Sequence, residues 1–246
     1  MKVLVAPVIW RSMDTHMALS LYNLMTHEGY DLKPFGNDAL IERSRSRAAT
    51  YFLERTDCDV MLSIDSDIEF RDQDAVEICE QAMEYKIVAG LYVTRSPYNA
   101  QPACRLSKGV EYDMNLSNHT PMPIDLPATG FLAMHRDVVR GIVDYYGMRL
   151  LHPNDEDFRM YPIYTPFESE TEDGEPIFLS EDWAFGERAK QSGFQSYMNP
   201  SVRLGHWGEK RYMLEDMLNE DYKAMPLKLM RQDGGYAVGY PEKVKQ

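Results

Sequence analysis

The sequence predicts an α/β fold with a doubly wound, mostly parallel central sheet, and three observations carry that expectation. Short apolar runs alternate with stretches of helical periodicity through the first 94 residues, the pattern of successive β-α units. The runs beginning at Val3, Asp59 and Ile87 are apolar almost throughout instead of alternating, as strands covered on both faces are. The middle run, Asp59-Val60-Met61-Leu62-Ser63-Ile64, ends abruptly in Asp65-Ser66-Asp67, and open α/β sheets bind ligands beyond the carboxyl ends of such strands.

Taken in order, Val3 to Ile9 reads as the first strand, and Asp14 starts a helix carrying Met17, Leu21, Leu24 and Met25 that closes near Gly29. A second helix begins at about Asp38, with Leu40, Ile41, Ala48, Phe52 and Leu53 on its apolar side and Arg43, Arg45 and Arg47 clustered midway. Those arginines suit a phosphate or nucleotide, and equally a solvated face paired with Glu42 and Glu54. After the Asp-Ser-Asp corner, Asp74 to Tyr85 is helical and Ile87 to Tyr92 is the next buried strand. From Arg95 to Pro127 prolines, asparagines and short alternating runs predict loops and small strands, a substrate-facing insertion.

Pro127 to Met134 reads as a strand kinked at Gly130, where a ligand could approach the backbone or the strand could simply bend, and Arg136 to Tyr146 as the following helix. Leu151 to Ile177 lacks periodicity and is expected to be a flap that orders on binding. Ser180 is a suitable N-cap for a helix running to Gly193, with Glu181 and Asp182 in its first turn. Acidic residues there complement the helix dipole, and the same position displays Asp182 where it could take a proton. Phe194 to Asn199 is a strand, and His206 lies between Gly205 and Trp207-Gly208, free to reach a metal or to stay solvent-facing. A polar helix from Glu209 to about Glu220 and a tail complete the chain.

The 246 residues can bury one substantial core, and the formal charge of −13 argues against nucleic acid or an anionic membrane as partner. Three separated cysteines, Cys58, Cys79 and Cys104, form no CxxC pair and indicate neither disulfides nor zinc. The run after Met1 is a poor signal peptide and no stretch is long enough to span a bilayer, so the expectation is cytoplasmic, with no integral membrane segment. Asp65 and Asp67 stand two apart, so in extended backbone their carboxylates project to one side and could hold a hard cation. The plainer alternative is an acidic turn.

The order of Leu40-Ile41-Glu42-Arg43-Ser44-Arg45-Ser46-Arg47, Asp65-Ser66-Asp67, Gly90-Leu91-Tyr92, Thr129-Gly130-Phe131, Ser180-Glu181-Asp182-Trp183 and Gly205-His206-Trp207-Gly208 resembles the metal-dependent GT-A fold glycosyltransferases. The resemblance spans residues 1–208 and implies a nucleotide-sugar-binding half (1–94), an acceptor half (95–208) with a small secondary sheet and flexible loops, and a C-terminal helix and tail (209–246). It implies a DxD motif in which Asp67 is the more direct ligand of Mn²⁺ or Mg²⁺ and Asp65 reaches ribose or coordinates through water, with His206 completing the metal site. It further implies a UDP- or GDP-linked sugar donor contacted by Arg45 and held near Pro7, and a catalytic base at Asp182, or Glu181, in an inverting reaction; in a retaining one the same acidic pair would orient acceptor or donor hydroxyls. Acceptor or sugar contacts fall to Gly130, Phe131 and Trp183, and Tyr164 is expected to stack on sugar. Related sequences often have Ala-Arg-Asn where this one has Ser44-Arg45-Ser46. The acceptor is a carbohydrate or another hydroxyl-bearing molecule, and a homo-oligomer is compatible with this reading.

Two other functions fit parts of the same pattern. A metal-dependent phosphohydrolase also uses two aspartates after a strand, although haloacid dehalogenase-like enzymes have Thr or Val where this chain has Glu69. A non-catalytic carbohydrate- or nucleotide-binding module would keep the fold and the aromatic residues without turnover.

Overall fold

The computed structural model describes residues 1–27, 29–96, 100–152, 159–171, 174–217, 228–232 and 235–239. In chain order, strand β1 (Val3–Ile9) leads to helix α1 (Thr15–Leu24), edge strands β2 (Tyr30–Leu32) and β3 (Phe35–Gly36), helix α2 (Ile41–Arg55), strands β4 (Val60–Asp65) and β5 (Ile68–Glu69), helix α3 (Asp72–Tyr85) and strand β6 (Ile87–Leu91). Strands β7 (Glu111–Asp113), β8 (Met122–Ile124) and β9 (Phe131–His135) precede helix α4 (Arg136–Tyr146). The hairpin β10 (Phe167–Glu170) and β11 (Pro176–Leu179), helix α5 (Glu181–Gln191), and strands β12 (Ser196–Arg203), β13 (Gly205–Trp207), β14 (Arg211–Tyr212), β15 (Lys228–Gln232) and β16 (Gly235–Gly239) follow.

The main sheet has the order β2-β1-β4-β9-β6-β12-β8, with β3 also beside β1. It is mostly parallel: β1 runs with β2, β3 and β4, and β12 with β6. Strand β9 enters between β4 and β6 antiparallel to both, and β8 is an antiparallel edge. Alternation along the strands divides the core into two layers. Val3, Val5, Val60, Leu62 and Ile64 face one side with Met17, Leu21, Ile78 and Cys79 of α1 and α3. Leu4, Ala6 and Met61 face the other with Phe52, Val138, Ile142, Phe185 and Ala189 of α2, α4 and α5. This is the doubly wound GT-A-type architecture, with small extra sheets β14-β13-β5 and β16-β15-β7.

Several expectations change. Helix α1 starts as expected, with Asp14 accepting from the His16 N–H at 2.8 Å, but α2 begins only at Ile41 because Asp38 takes the Leu40 N–H and the Arg43 guanidinium before it. Ser180 precedes α5 without making a side-chain cap bond. The described part of the expected flap is docked, because Ile163 and Tyr164 are fully buried and the Tyr161 and Tyr164 N–H groups donate to Thr50 and Ser46 of α2; residues 153–158 and 172–173 lie outside the described residues. In place of a C-terminal helix there is β14, a short 3-10 turn at Leu214–Met217 and the β15–β16 hairpin, whose β15 adds to β7; residues 218–227, 233–234 and 240–246 lie outside the described residues.

Candidate functional site

The carboxyl ends of β1, β4 and β6 open into a cleft of about 330 Å³ lined by Trp10, Asp38, Arg45, Asp65, Asp67 and Tyr92 among others. Register delivers the residues. Asp65 ends β4 opposite Val8 of β1, and its N–H donates to the Gly130 carbonyl at 2.8 Å, tying it to the start of β9. Strand β5 pairs with β13 so that Ile68 faces His206, and the Trp207 N–H donates to the Asp67 carbonyl at 2.8 Å. The β13 strand is itself fixed: the Trp207 indole stacks on His16 at 3.8 Å and donates to Glu69 at 2.7 Å.

Arg45 is the centre of one half of the cleft. Its guanidinium is 2% exposed and donates from both terminal nitrogens to the two oxygens of Asp65, at 2.8 and 3.0 Å, while its Nε stands 3.6 Å from Asp182 Oδ1. A planar fork is suited to such a paired contact. Asp182 also accepts from the Thr129 hydroxyl. Burial pushes the Asp182 carboxyl above its ordinary range, Arg45 pulls it back, Asp65 pushes it up again, and the Thr129 bond lowers it; burial prevails. Burial, and then the charge of Asp182, raise Glu181 in the same way. Gly130 has no room for a side chain, since a Cβ would meet Tyr92 Oη at 2.5 Å and Asp65 Oδ2 at 2.8 Å. The Gly130 N–H donates to that Tyr92 oxygen at 3.1 Å.

The other half gathers around Asp67 Oδ2, which meets Arg95 Nη1 at 2.7 Å and His206 Nε2 at 3.6 Å. The His206 Nδ1–H donates to the Val93 carbonyl at 2.8 Å, so in the neutral ring Nε2 keeps its lone pair toward Asp67. Burial would raise Asp67, but His206, when its ring is protonated, and the charge of Arg95 outweigh that and hold it below its ordinary value. Among the described residues no group of three or more His, Cys, Asp or Glu side chains is preassembled as a metal cage. Asp67 and His206 nevertheless offer one oxygen and one nitrogen donor, which suits a divalent cation whose other positions come from a bound ligand. Asp65 has one lone pair of each oxygen taken by Arg45, which fixes its orientation and leaves the remaining lone pairs for a ligand.

Of the residues the sequence singled out, Arg45, Asp65, Asp67, Glu181, Asp182 and His206 line the one cleft. Gly130 lies behind Asp65, where its missing side chain lets Tyr92 and Asp65 close up. Pro7 is a buried β1 residue opposite Ile64, and it is the following Val8, Ile9 and Trp10 that reach the cleft. Phe131 is fully buried against Phe70 at 5.0 Å. Trp183 turns to Arg105, whose guanidinium lies 5.7 Å from its ring. Tyr164 is fully buried, stacked on Phe185 at 4.9 Å, and cannot stack on a sugar; its apolar ring fills the space beneath the site. Sequence reasoning missed Trp10, Asp38, Tyr92, Thr129 and Arg95 as site residues. For Trp10 and Arg95 a signal existed: an aromatic and a basic residue just beyond the ends of expected strands.

No family model and no curated protein matches the chain. Solved structures do. A197 from STIV is 16% identical over 87% of this chain and 90% of that one, with a TM-score of 0.51. GalNAc-T7, solved with UDP, GalNAc and Mn²⁺, is 11% identical over 83% of this chain with a TM-score of 0.52, and this chain spans 43% of its length. At these identities the likeness is one of fold, and the fold is of the GT-A type.

Proposed function

We propose that this protein transfers a sugar from a nucleoside-diphosphate donor, UDP- or GDP-linked, to an acceptor hydroxyl with inversion, assisted by Mn²⁺ or Mg²⁺ held at Asp67 and His206. The observation that carries the reading is the division of one cleft into an arginine-clamped carboxylate pair and an aspartate–histidine pair. A fold neighbour solved with UDP, GalNAc and Mn²⁺ supports it. In the transfer the anomeric carbon–phosphate oxygen bond breaks, the bond to the acceptor oxygen forms, and the acceptor proton goes to Asp182. Arg45 offsets part of the upward push of burial on Asp182 and fixes Asp65 as a rigid acceptor of donor hydroxyl bonds. Trp10, exposed at the cleft mouth, offers an aromatic face to the base. The cation, when bound, supplies Lewis-acid stabilisation of the charge developing on the diphosphate.

No helix among the described residues is long and apolar enough to cross a membrane, and the free cysteines Cys58, Cys79 and Cys104 are buried. Work in the cytoplasm is part of this reading. The test is a thermal-shift series with UDP, GDP, CMP and dTDP, each with Mn²⁺ and with EDTA, on the protein and on Asp67→Ala. One nucleotide is expected to raise the melting temperature only with the metal and only when Asp67 is present. No stabilisation by any nucleotide defeats the transferase reading and leaves the fold alone.

A further inference from the structure

We infer that Arg95 is an exchangeable counter-ion of the Asp67–His206 pair: it occupies the Asp67 oxygen that a divalent cation takes, and on leaving passes its guanidinium to the incoming diphosphate. The inference rests on the proposed cation site and goes beyond it, because it assigns a residue that sets cation affinity.

The geometry distinguishes two arginine–aspartate contacts in the same cleft. Arg45 is 2% exposed and grips both oxygens of Asp65, so it is part of the frame. Arg95 has a side chain 48% exposed and touches a single oxygen, Asp67 Oδ2 at 2.7 Å, the same atom that His206 Nε2 faces at 3.6 Å. A cation bridging Asp67 and His206 would therefore compete with this guanidinium for one atom. The docked position is specific. Arg95 also donates to the Trp207 carbonyl at 3.2 Å, and its stem lies over Gly208, where a Cβ would come within 2.9 Å of Arg95 Cδ. An ion pair this exposed is weak, so its displacement lowers cation affinity by no more than about fivefold. Arg95 lines the cleft, so the released guanidinium remains within reach of an anionic ligand, for which a planar fork is well suited.

The experiment is a Mn²⁺ titration of the full chain without nucleotide, followed by the electron paramagnetic resonance signal of free Mn²⁺, on wild type, Arg95→Ala, Arg95→Lys and Asp67→Ala. Arg95→Ala is expected to bind Mn²⁺ about twofold to fivefold more tightly, Arg95→Lys to stay within about twofold of wild type, and Asp67→Ala to lose the site. Equal or weaker binding in Arg95→Ala overturns the inference, as does no Mn²⁺ binding to either protein or unchanged binding in Asp67→Ala. Repeating the titration with inorganic pyrophosphate tests the second half: its enhancement of Mn²⁺ affinity should be smaller in Arg95→Ala, and an equal enhancement refutes the hand-over. Tighter Mn²⁺ binding in Arg95→Ala together with no response to any nucleotide would keep the Arg95 assignment and remove the transferase reading.

Discussion

Replacing Arg45 with methionine removes a guanidinium that is 2% exposed and leaves Asp65 and Asp182 facing each other across the space it filled. Removing one partner of a buried pair costs about 3–5 kcal/mol, because the remaining charge is left uncompensated. The two carboxylates are 21% and 22% exposed, so water reaches them in part, which points to the lower end, about 3 kcal/mol. With a urea m-value near 3 kcal/mol per molar, the midpoint should fall by about 1 M. The loss should also depend on pH. Burial already holds the Asp182 carboxyl above its ordinary range while Arg45 pulls it down, so without Arg45 it rises further. A folded-state pKa above the unfolded one means that stability falls as pH rises through the interval, so the deficit is larger at about pH 8 than at about pH 5. Urea unfolding followed by circular dichroism at both pH values measures this, and Arg45→Met/Asp65→Leu should recover part of the loss by removing both partners. A deficit under about 1 kcal/mol, a deficit that grows toward acid, or additivity of the two substitutions would refute the assignment of Arg45 as the clamp.

The acidic side of the site yields further expectations. Thr129→Val removes a hydroxyl that donates to Asp182 and lowers its pKa; the acidic limb of kcat/KM should move to higher pH, and a limb that stays or moves down separates Asp182 from the base role. Gly130→Ala places a Cβ 2.5 Å from Tyr92 Oη and should destabilise by about 1–3 kcal/mol. Tyr92→Phe in the same chain should restore part of that, and the absence of any restoration in thermal unfolding would locate the strain elsewhere.

The alternation of apolar runs and helical periodicity in the first 94 residues was enough to anticipate β1, α1, α2, β4, α3 and β6, because each is set by local pattern and by burial on both faces. The direction of β9 was not legible. Phe131–His135 is apolar enough to be a central strand either way, and orientation is decided by the partners it finds, β4 and β6, far away in sequence. The same holds for the site. Aspartates at the end of a strand can be read from the chain, whereas the bonds from Arg45 to Asp65 and from Arg95 to Asp67 join residues on different elements and leave no periodic trace. Tyr164 was misread because a tyrosine in an aperiodic stretch looks exposed, and only its packing on Phe185 puts it inside. The β15–β16 hairpin was overlooked although Asp233-Gly234-Gly235 is a hairpin sequence signal between two short apolar-containing runs.

The reversed strand in the middle of the sheet also governs how the chain must be made. While only residues up to Leu91 have emerged from the ribosome, β4 and β6 point the same way with nothing yet available to fill the place between them. Two apolar strands in that state are matched to pair directly with each other, closing the sheet one strand short. The place between them is filled only once β9, Phe131–His135, has been made. The insertion between β6 and β9 is therefore a synthesis delay as well as a stretch of surface, and shortening it should change folding yield on the ribosome before it changes anything in the finished molecule.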